Sequence, residues 1–269
     1  MEGARERLRD MDPADFYSGI VVDAYAKLKS STFVAAPYID FVRTHGEPGL
    51  EVGCGDGQPL LDLCEAGLDV EGVDSSMDMV VRARENAAER GIRTGIYCQR
   101  VEGLRLPRRF ASIYFAGPTF NLLADDTTAA RALRAIREHL TDDGAALIPL
   151  WVPNPTPENE FGVARTADDS GVQLRYTPLT ETYDEDQRTR TTSSRYERVT
   201  PEGTETADRE WIIHWHTPGS FRELCHDAYL EVVRIVDDHT DGPASEASVN
   251  FTAVVRRRSE DSQPTRNDK

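Results

Sequence analysis

The sequence predicts an α/β fold: a doubly wound, mostly parallel sheet that carries an inserted antiparallel β-meander. Three observations predict it. From residue 49 to 151, hydrophobic runs of strand length alternate with helical segments, the pattern of a parallel sheet with crossover helices. The first run passes into Leu50-Glu51-Val52-Gly53-Cys54-Gly55-Asp56-Gly57, an acidic residue and then three glycines at alternate positions. After Pro153 the pattern changes to segments that read as strands joined by acidic and Pro/Gly turns.

The elements follow in order. Residues 13–45 read as helical: Pro13 suits a helix start, Phe16, Ile20, Tyr25 and Leu28 form one apolar face, and a second helix carries Val34, Ile39 and Phe41. Gly46-Glu47-Pro48-Gly49 ends it. Strand 49–53 leads to helix 58–66, and strand 69–73 to helix 76–90, which stops at Gly91 as a helix C-terminus should. Strands 94–98 and 111–115 come next. Helix 127–140 has Asp125 or Asp126 near its N-cap and Gly144 past its end, and strand 145–151 completes the series. Residues 153–170 are rich in Pro, Asn and Asp and read as a loop. Strands 172–178, 188–199 and 205–216 form the meander, through hairpins at Tyr183-Asp184-Glu185-Asp186 and Pro201-Glu202-Gly203. A helix at 218–228 and strands 230–237 and 249–256 return to the main sheet. The expected organisation is a helical lid at 1–48, a core at 49–152 and 218–256, an insertion at 153–217, and a charged tail at 257–269 with nothing apolar to bury.

Composition excludes some partners. Forty-seven acidic residues against 31 basic ones give a net charge of −16. Such a surface repels phosphate backbones and anionic lipid, so neither nucleic acid nor membrane is the expected partner. No run of about 18 apolar residues exists, and Met1–Asp12 carries no apolar core of a signal peptide. A cytoplasmic location is expected. Cys54, Cys64, Cys98 and Cys225 form no C-x-x-C pair and read as small core residues.

The glycines permit a tight strand-to-helix turn and remove Cβ atoms that would hold a ligand away. Their spacing discriminates between ligands. A dinucleotide fingerprint needs its third glycine at position 58, which is Gln58 here. The motif reads E-x-G-x-G-x-G, and Asp74 ends the next hydrophobic run. This combination resembles class I S-adenosylmethionine (SAM)-dependent methyltransferases of Rossmann-like fold. Phe120-Asn121-Leu122-Leu123, followed by Ala132-Leu133, Ile136, His139-Leu140-Thr141 and Gly144, is similar to the segment after the fourth strand in bacterial small-molecule members.

The resemblance implies a cofactor, SAM, with S-adenosylhomocysteine as product, and a role for each matching position. Glu51 would lie near the methionine amino group. Gly53, Cys54, Gly55 and Gly57 would form the loop under the methionine and ribose. Asp74 would accept from both ribose hydroxyls, a task that suits an acceptor-only carboxylate. Ser75 and Met79 would border the adenine, Gln99, Arg100 and Val101 would reach its edge, and Tyr17 and Ala116 would complete the site. Many relatives carry Asp where this chain has Arg100, which cannot accept from the adenine amino group. Gln99 or backbone groups would take that part.

Methyl transfer from a sulfonium is an in-line displacement, so the protein mainly supplies alignment and a dry site. The acceptor should approach the carboxyl ends of the strands, where Tyr25, Phe120, Asn121 and Trp151 are candidate contacts. A hydroxyl or ammonium acceptor needs a base nearby. His214 and His216, with Asn121, are the candidates, because strand alternation puts both histidines on one face. His139, in the last turn of a helix, reads as a surface residue. No metal is expected, since no third ligand has suitable spacing to the histidine pair. Arg175, Arg190 and Arg195 could face an acidic acceptor or simply a solvated β-face. The expected function is methyl transfer to N or O of a small-molecule metabolite, with a homodimer possible. The alternatives are a SAM-binding sensor without turnover and a protein methyltransferase. Gly117-Pro118-Thr119-Phe120 does not match the signature of DNA amino-methylating enzymes.

Overall fold

A computed structural model describes residues 16–28, 34–169 and 171–258. The expectations placed on Pro13, on the first 15 residues and on the tail from 259 fall outside them. Helices α1 (Ile20–Leu28) and α2 (Ala36–His45) precede the sheet. The alternating series is β1 (Gly49–Val52), α3 (Leu60–Glu65), β2 (Val70–Asp74), α4 (Met77–Glu89), β3 (Ile96–Cys98), β4 (Phe110–Phe115), α5 (Asp126–His139) and β5 (Leu140–Trp151). Strands β6 (Arg165–Asp169), β7 (Val172–Asp184), β8 (Thr189–Thr200) and β9 (Gly203–His214) form the insertion. Helix α6 (Pro218–Asp227) and strands β10 (Leu230–Asp237) and β11 (Asn250–Arg257) complete the described chain.

The main sheet has seven strands in the order β10-β11-β5-β4-β1-β2-β3. Strands β1 to β5 pair in parallel, and β11 is antiparallel to both β5 and β10. Chain order reverses between β1 and β4, which opens a crevice at their carboxyl ends. All four residues of β1 are buried, as a strand covered on both faces requires. Leu50 and Val52 enter the apolar layer under α5 and α6, with Phe115, Ile136 and Phe221. The other layer gathers Val42, Leu60, Leu63, Val80 and Tyr114 under α2, α3 and α4.

Two local expectations are corrected. Residues 153–170 are not wholly loop: β6 pairs antiparallel with β7, so the insertion is a four-stranded sheet. Its Arg-Thr-Ala-Asp-Asp sequence has no apolar face, and backbone pairing alone makes it a strand. His139 is buried, not on the surface. Its Nε2 accepts from the Leu106 N–H at 3.1 Å and its Nδ1 lies 2.7 Å from the Ala135 carbonyl. The ring fastens the 104–106 loop to the end of α5.

A roof joins the two sheets. Phe16, Ile20, Val21 and Ala24 pack on Tyr196 of β8. Asp23 on α1 bridges Arg82 of α4 at 2.5 Å and Arg198 of β8. The Ser76 hydroxyl donates to the Tyr17 carbonyl, and the Gly19 N–H donates to Asp78 at 2.7 Å. One short helix therefore ties the parallel core to the insertion.

Candidate functional site

A cavity of about 330 Å³ opens at the switch point. Val52 at the end of β1 with Gly53 after it, Val73 and Asp74 at the end of β2, and Phe115 of β4 form its floor. Tyr17 and Tyr25 roof it, with their rings edge to face at 5.3 Å. Glu210, Trp211 and Ile212 of β9 make the insertion wall. The volume lies at the small end of the range for small-molecule sites, roughly 300–1,000 Å³.

Asp74 organises the floor. Its Oδ2 accepts from the Gly55 N–H and its Oδ1 from the Ser76 N–H, each at 2.8 Å. Burial raises its carboxyl above the ordinary value, and the backbone donors oppose that rise. The Ser75 backbone N–H adds a third donor, and a carboxylate's roughly four acceptor sites still leave room for a ligand. The glycine turn around it is more specific than its pattern. Gly53 has φ +74°, and a Cβ there would stand 2.4 Å from Thr119 Cγ2. At Gly57 a Cβ would stand 3.0 Å from Leu61. These two glycines admit neighbouring protein. Gly55, at φ +52°, has nothing within 4 Å of a built Cβ and lines the cavity.

Glu51 lies fully buried beside the turn. The Tyr114 hydroxyl donates to its Oε2 at 2.8 Å, and its Oε1 has no hydrogen-bond partner. Burial pushes its carboxyl well above the carboxylate range, against the Tyr114 hydrogen bond. Burial likewise raises the Tyr25 phenol to about 12, with the Asp56, Asp74 and Glu51 charges adding to it, so Tyr25 is a neutral hydroxyl.

The cavity brings together many of the expected positions: Tyr17, Tyr25, Gly53, Gly55, Asp74, Ser75, Met79, Gln99, Arg100 and Val101 all line it. Gln99 also closes its own loop, accepting from the Arg105 N–H at 2.8 Å and donating to the Arg105 carbonyl at 3.2 Å. Glu51, Cys54, Gly57 and Ala116 do not line it. Cys54 points under the sheet against Gly72, and Ala116 is buried.

The acceptor-side candidates divide differently. Phe120 is buried against Phe115 and Phe221. The Trp151 ring packs under the Arg190 guanidinium at 4.8 Å and faces a separate groove with Pro37 and Asn250. Asn121 is a buried clamp. Its Nδ2 donates to the Trp151 and His214 carbonyls at 2.8 and 3.1 Å, and its Oδ1 accepts from the Trp151 N–H at 3.1 Å. His214 and His216 are 3% and 1% exposed and lie behind the cavity wall, near Asp126. Burial lowers the pKa of both, His216 to about 3, so both rings are neutral. Arg190 is held by Glu181 and the Asn154 carbonyl, and Arg195 by Asp208. Strand alternation gives no sign of the wall residues Glu210, Trp211 and Ile212, because three consecutive residues reach the cavity at the twisted end of β9. Trp211 Nε1 is a buried donor without a hydrogen-bond partner.

Comparison with known proteins agrees with this geometry. Residues 50–144 match the family model described as a methyltransferase domain. Over 155 residues the chain is 29% identical to the dTDP-3-amino-3,6-dideoxy-alpha-D-glucopyranose N,N-dimethyltransferase of Streptomyces fradiae. The match covers 54% of this chain and 59% of that relative's length. Among solved structures, the CcbJ methyltransferase of Streptomyces caelestis superposes with a TM-score of 0.73 at 19% identity, covering 93% of this chain and all (100%) of that one. The sugar N-methyltransferase KedS8 of Streptoalloteichus gives 0.65 at 18% identity, covering 96% of this chain and 93% of that one. At these identities the structural matches establish the fold.

Two substitutions check this geometry. The folded protein holds the Glu51 proton more tightly than the unfolded chain. That contribution to stability is present below the ordinary carboxylate range and lost as pH rises through the raised value. Glu51→Gln keeps an acceptor for Tyr114 and removes the buried charge. It should raise stability near neutral pH by roughly 1 kcal/mol or more, a Tm shift of about 2–4 °C, and the gain should vanish in melts taken in acid. Asn121→Ala should cost about 2–4 kcal/mol, because it strands buried carbonyls and an N–H. Urea unfolding measures that loss, and unaltered stability with abolished turnover would make Asn121 a catalytic residue instead.

Proposed function

We propose that this chain, a member of the class I SAM-dependent methyltransferases, transfers a methyl group to the amino group of a small molecule about the size of a sugar. The observation that carries the reading is the cavity at the switch point, with Asp74 presenting two backbone-anchored oxygens into it beside the open Gly55.

The residues fit the cofactor. Asp74 would grip the two ribose hydroxyls with the lone pairs its backbone donors leave. The Glu51 Oε1, behind the glycine turn, has no hydrogen-bond partner and would accept from a methionine amino group that reached it past the turn. Ser75, Met79 and the 99–101 segment would enclose the adenine. Bound SAM supplies an already activated methyl group on a sulfonium. Tyr17 and Tyr25 would cover that centre and keep water out.

Three features support an amine acceptor. Among the described residues no histidine or lysine lines the cavity, so its titratable groups are carboxylates and neutral tyrosines beside Arg100, a set that includes no strong base for a hydroxyl. Glu210 on the insertion wall and Glu102 beside the 99–101 segment also line the cavity; these carboxylates favour a cationic amine and can take its proton before attack. The relative from Streptomyces fradiae is named for N,N-dimethylation of an amino sugar nucleotide. No helix among the described residues is long and apolar enough to cross a membrane, consistent with an acceptor met in solution.

The test has two parts. SAM should raise the Tm by mass action and NAD should not. Incubation with amino sugars and their hydroxyl counterparts should release S-adenosylhomocysteine with the amines only. Turnover with the hydroxyl compounds alone would overturn the amine assignment, and binding without turnover of either would favour a sensor. Asp74→Ala should weaken SAM binding at least about tenfold, the loss of a charge-assisted hydrogen bond. Unchanged affinity by calorimetry would remove Asp74 from the site.

A further inference from the structure

We propose that Asp126, His214 and His216 form a binding site for a divalent transition-metal ion of the zinc type, which pins the start of α5 to the end of the insertion. The three residues each turn one ligand atom to a common point, all within 4.8 Å of one another. Asp126 Oδ1 lies 3.4 Å from His214 Nε2 and 3.8 Å from His216 Nδ1. Ligand atoms at about 2.0–2.1 Å from a tetrahedral zinc stand about 3.3–3.5 Å apart, so the two carboxylate spacings are close to that geometry and the histidine pair, within 4.8 Å, would close on the ion.

The second observation is an unfilled demand. His216 is 1% exposed, and neither of its ring nitrogens has a hydrogen-bond partner. A buried polar group in that condition costs about 1–3 kcal/mol. A cation at the common point takes the Nδ1 lone pair and leaves Nε2 to carry the ring proton. Phe120 and Phe221 pack around that ring, which keeps water from competing.

The surroundings suit a metal on the carboxylate. The Arg188 guanidinium holds Asp126 Oδ2, leaving Oδ1 turned to the histidines. Outer partners of this kind orient ligating carboxylates. Arg188 is a positive charge near the site, and it is offset by two neighbouring carboxylates, Asp125 and Asp126. Asp126 is 57% exposed, which provides an entry path and room for a water as fourth ligand. Two imidazoles and one carboxylate favour zinc, cobalt or nickel over magnesium or calcium, which take oxygen ligands.

The site would act on architecture. His214 ends β9 and shares its carbonyl with Asn121, and Leu123 and Thr128, on either side of Asp126, line the cavity. A metal here cross-links the core and the insertion directly behind the acceptor wall.

The experiment uses the full chain without a histidine tag, stripped with chelator and titrated with zinc chloride by calorimetry, and with cobalt chloride by visible absorption. One equivalent should bind, cobalt should give the bands of a low-coordinate site, and zinc should raise the Tm. Asp126→Asn and His216→Gln should each weaken binding at least about tenfold and abolish the cobalt bands, while His226→Ala, an exposed histidine elsewhere, should change nothing. No binding by the parent chain, or binding that survives both ligand substitutions, overturns the proposal. Should His216→Gln fail to fold by circular dichroism, the exposed Asp126→Asn decides alone.

Discussion

The site depends on one carboxylate. Asp74 sits at the end of β2 and takes the Gly55 and Ser76 N–H groups on its two oxygens. Those bonds fix the glycine turn to the neighbouring strand and set the start of α4, whose own N-cap is Ser76. The charge is buried at an energetic cost, which backbone donors reduce only in part. A fold retains such a group when something else uses it. Its position at the reversal of strand order, on the floor of the cavity, suits the proposed reading, in which hydroxyl donors of a bound ligand would complete its hydrogen bonding.

The parallel core was legible because each of its determinants is local. Strand runs, the Gly91 stop and the turn glycines act within a few residues, and the strand order follows from the alternation they create. The glycine turn was legible as a turn, and only partly as a site. Gly53 and Gly57 are required by Thr119 and Leu61, contacts that chain order does not display, and Gly55 alone of the three faces open space. His139 read as exposed because the last turn of a helix usually is, yet the 104–106 loop folds over it. The strand at Arg165–Asp169 carries no apolar period, since it is made by pairing with β7 and not by burial. His214 and His216 were visible as a pair, but their carboxylate neighbour lies at the start of α5, and no spacing rule along the chain reaches it.

The roof explains why the acceptor side resisted reading. Helix α1 is held by polar bridges to two different sheets, Asp23 to Arg82 and to Arg198, and by an aromatic cluster of Phe16, Tyr17, Tyr196 and Trp211. All of these contacts except Phe16–Tyr17 join residues far apart in sequence. Tyr17, just before α1, and Tyr25, on it, both line the cavity over Asp74. Surface ion pairs are individually weak, so the buried contacts of Phe16, Ile20, Val21 and Ala24 with Tyr196 carry most of the roof's hold.

The placement of Asn121 bears on the chemistry. A side chain that satisfies three backbone groups of Trp151 and His214 has little freedom to serve a substrate, and both histidines stand behind the wall it supports. The chain thus spends its most suggestive polar residues on joining β5 to the insertion. What remains around the cavity is a tryptophan donor, two neutral tyrosines, Arg100 and carboxylates. For an attacking hydroxyl this set supplies no strong base. For an amine it supplies what is needed, because the nucleophile is already potent once neutral, and the carboxylates hold its charged form until the proton leaves. In the proposed reaction, alignment at the sulfonium, from the floor built on Asp74 and the roof built on α1, would supply the rest of the rate.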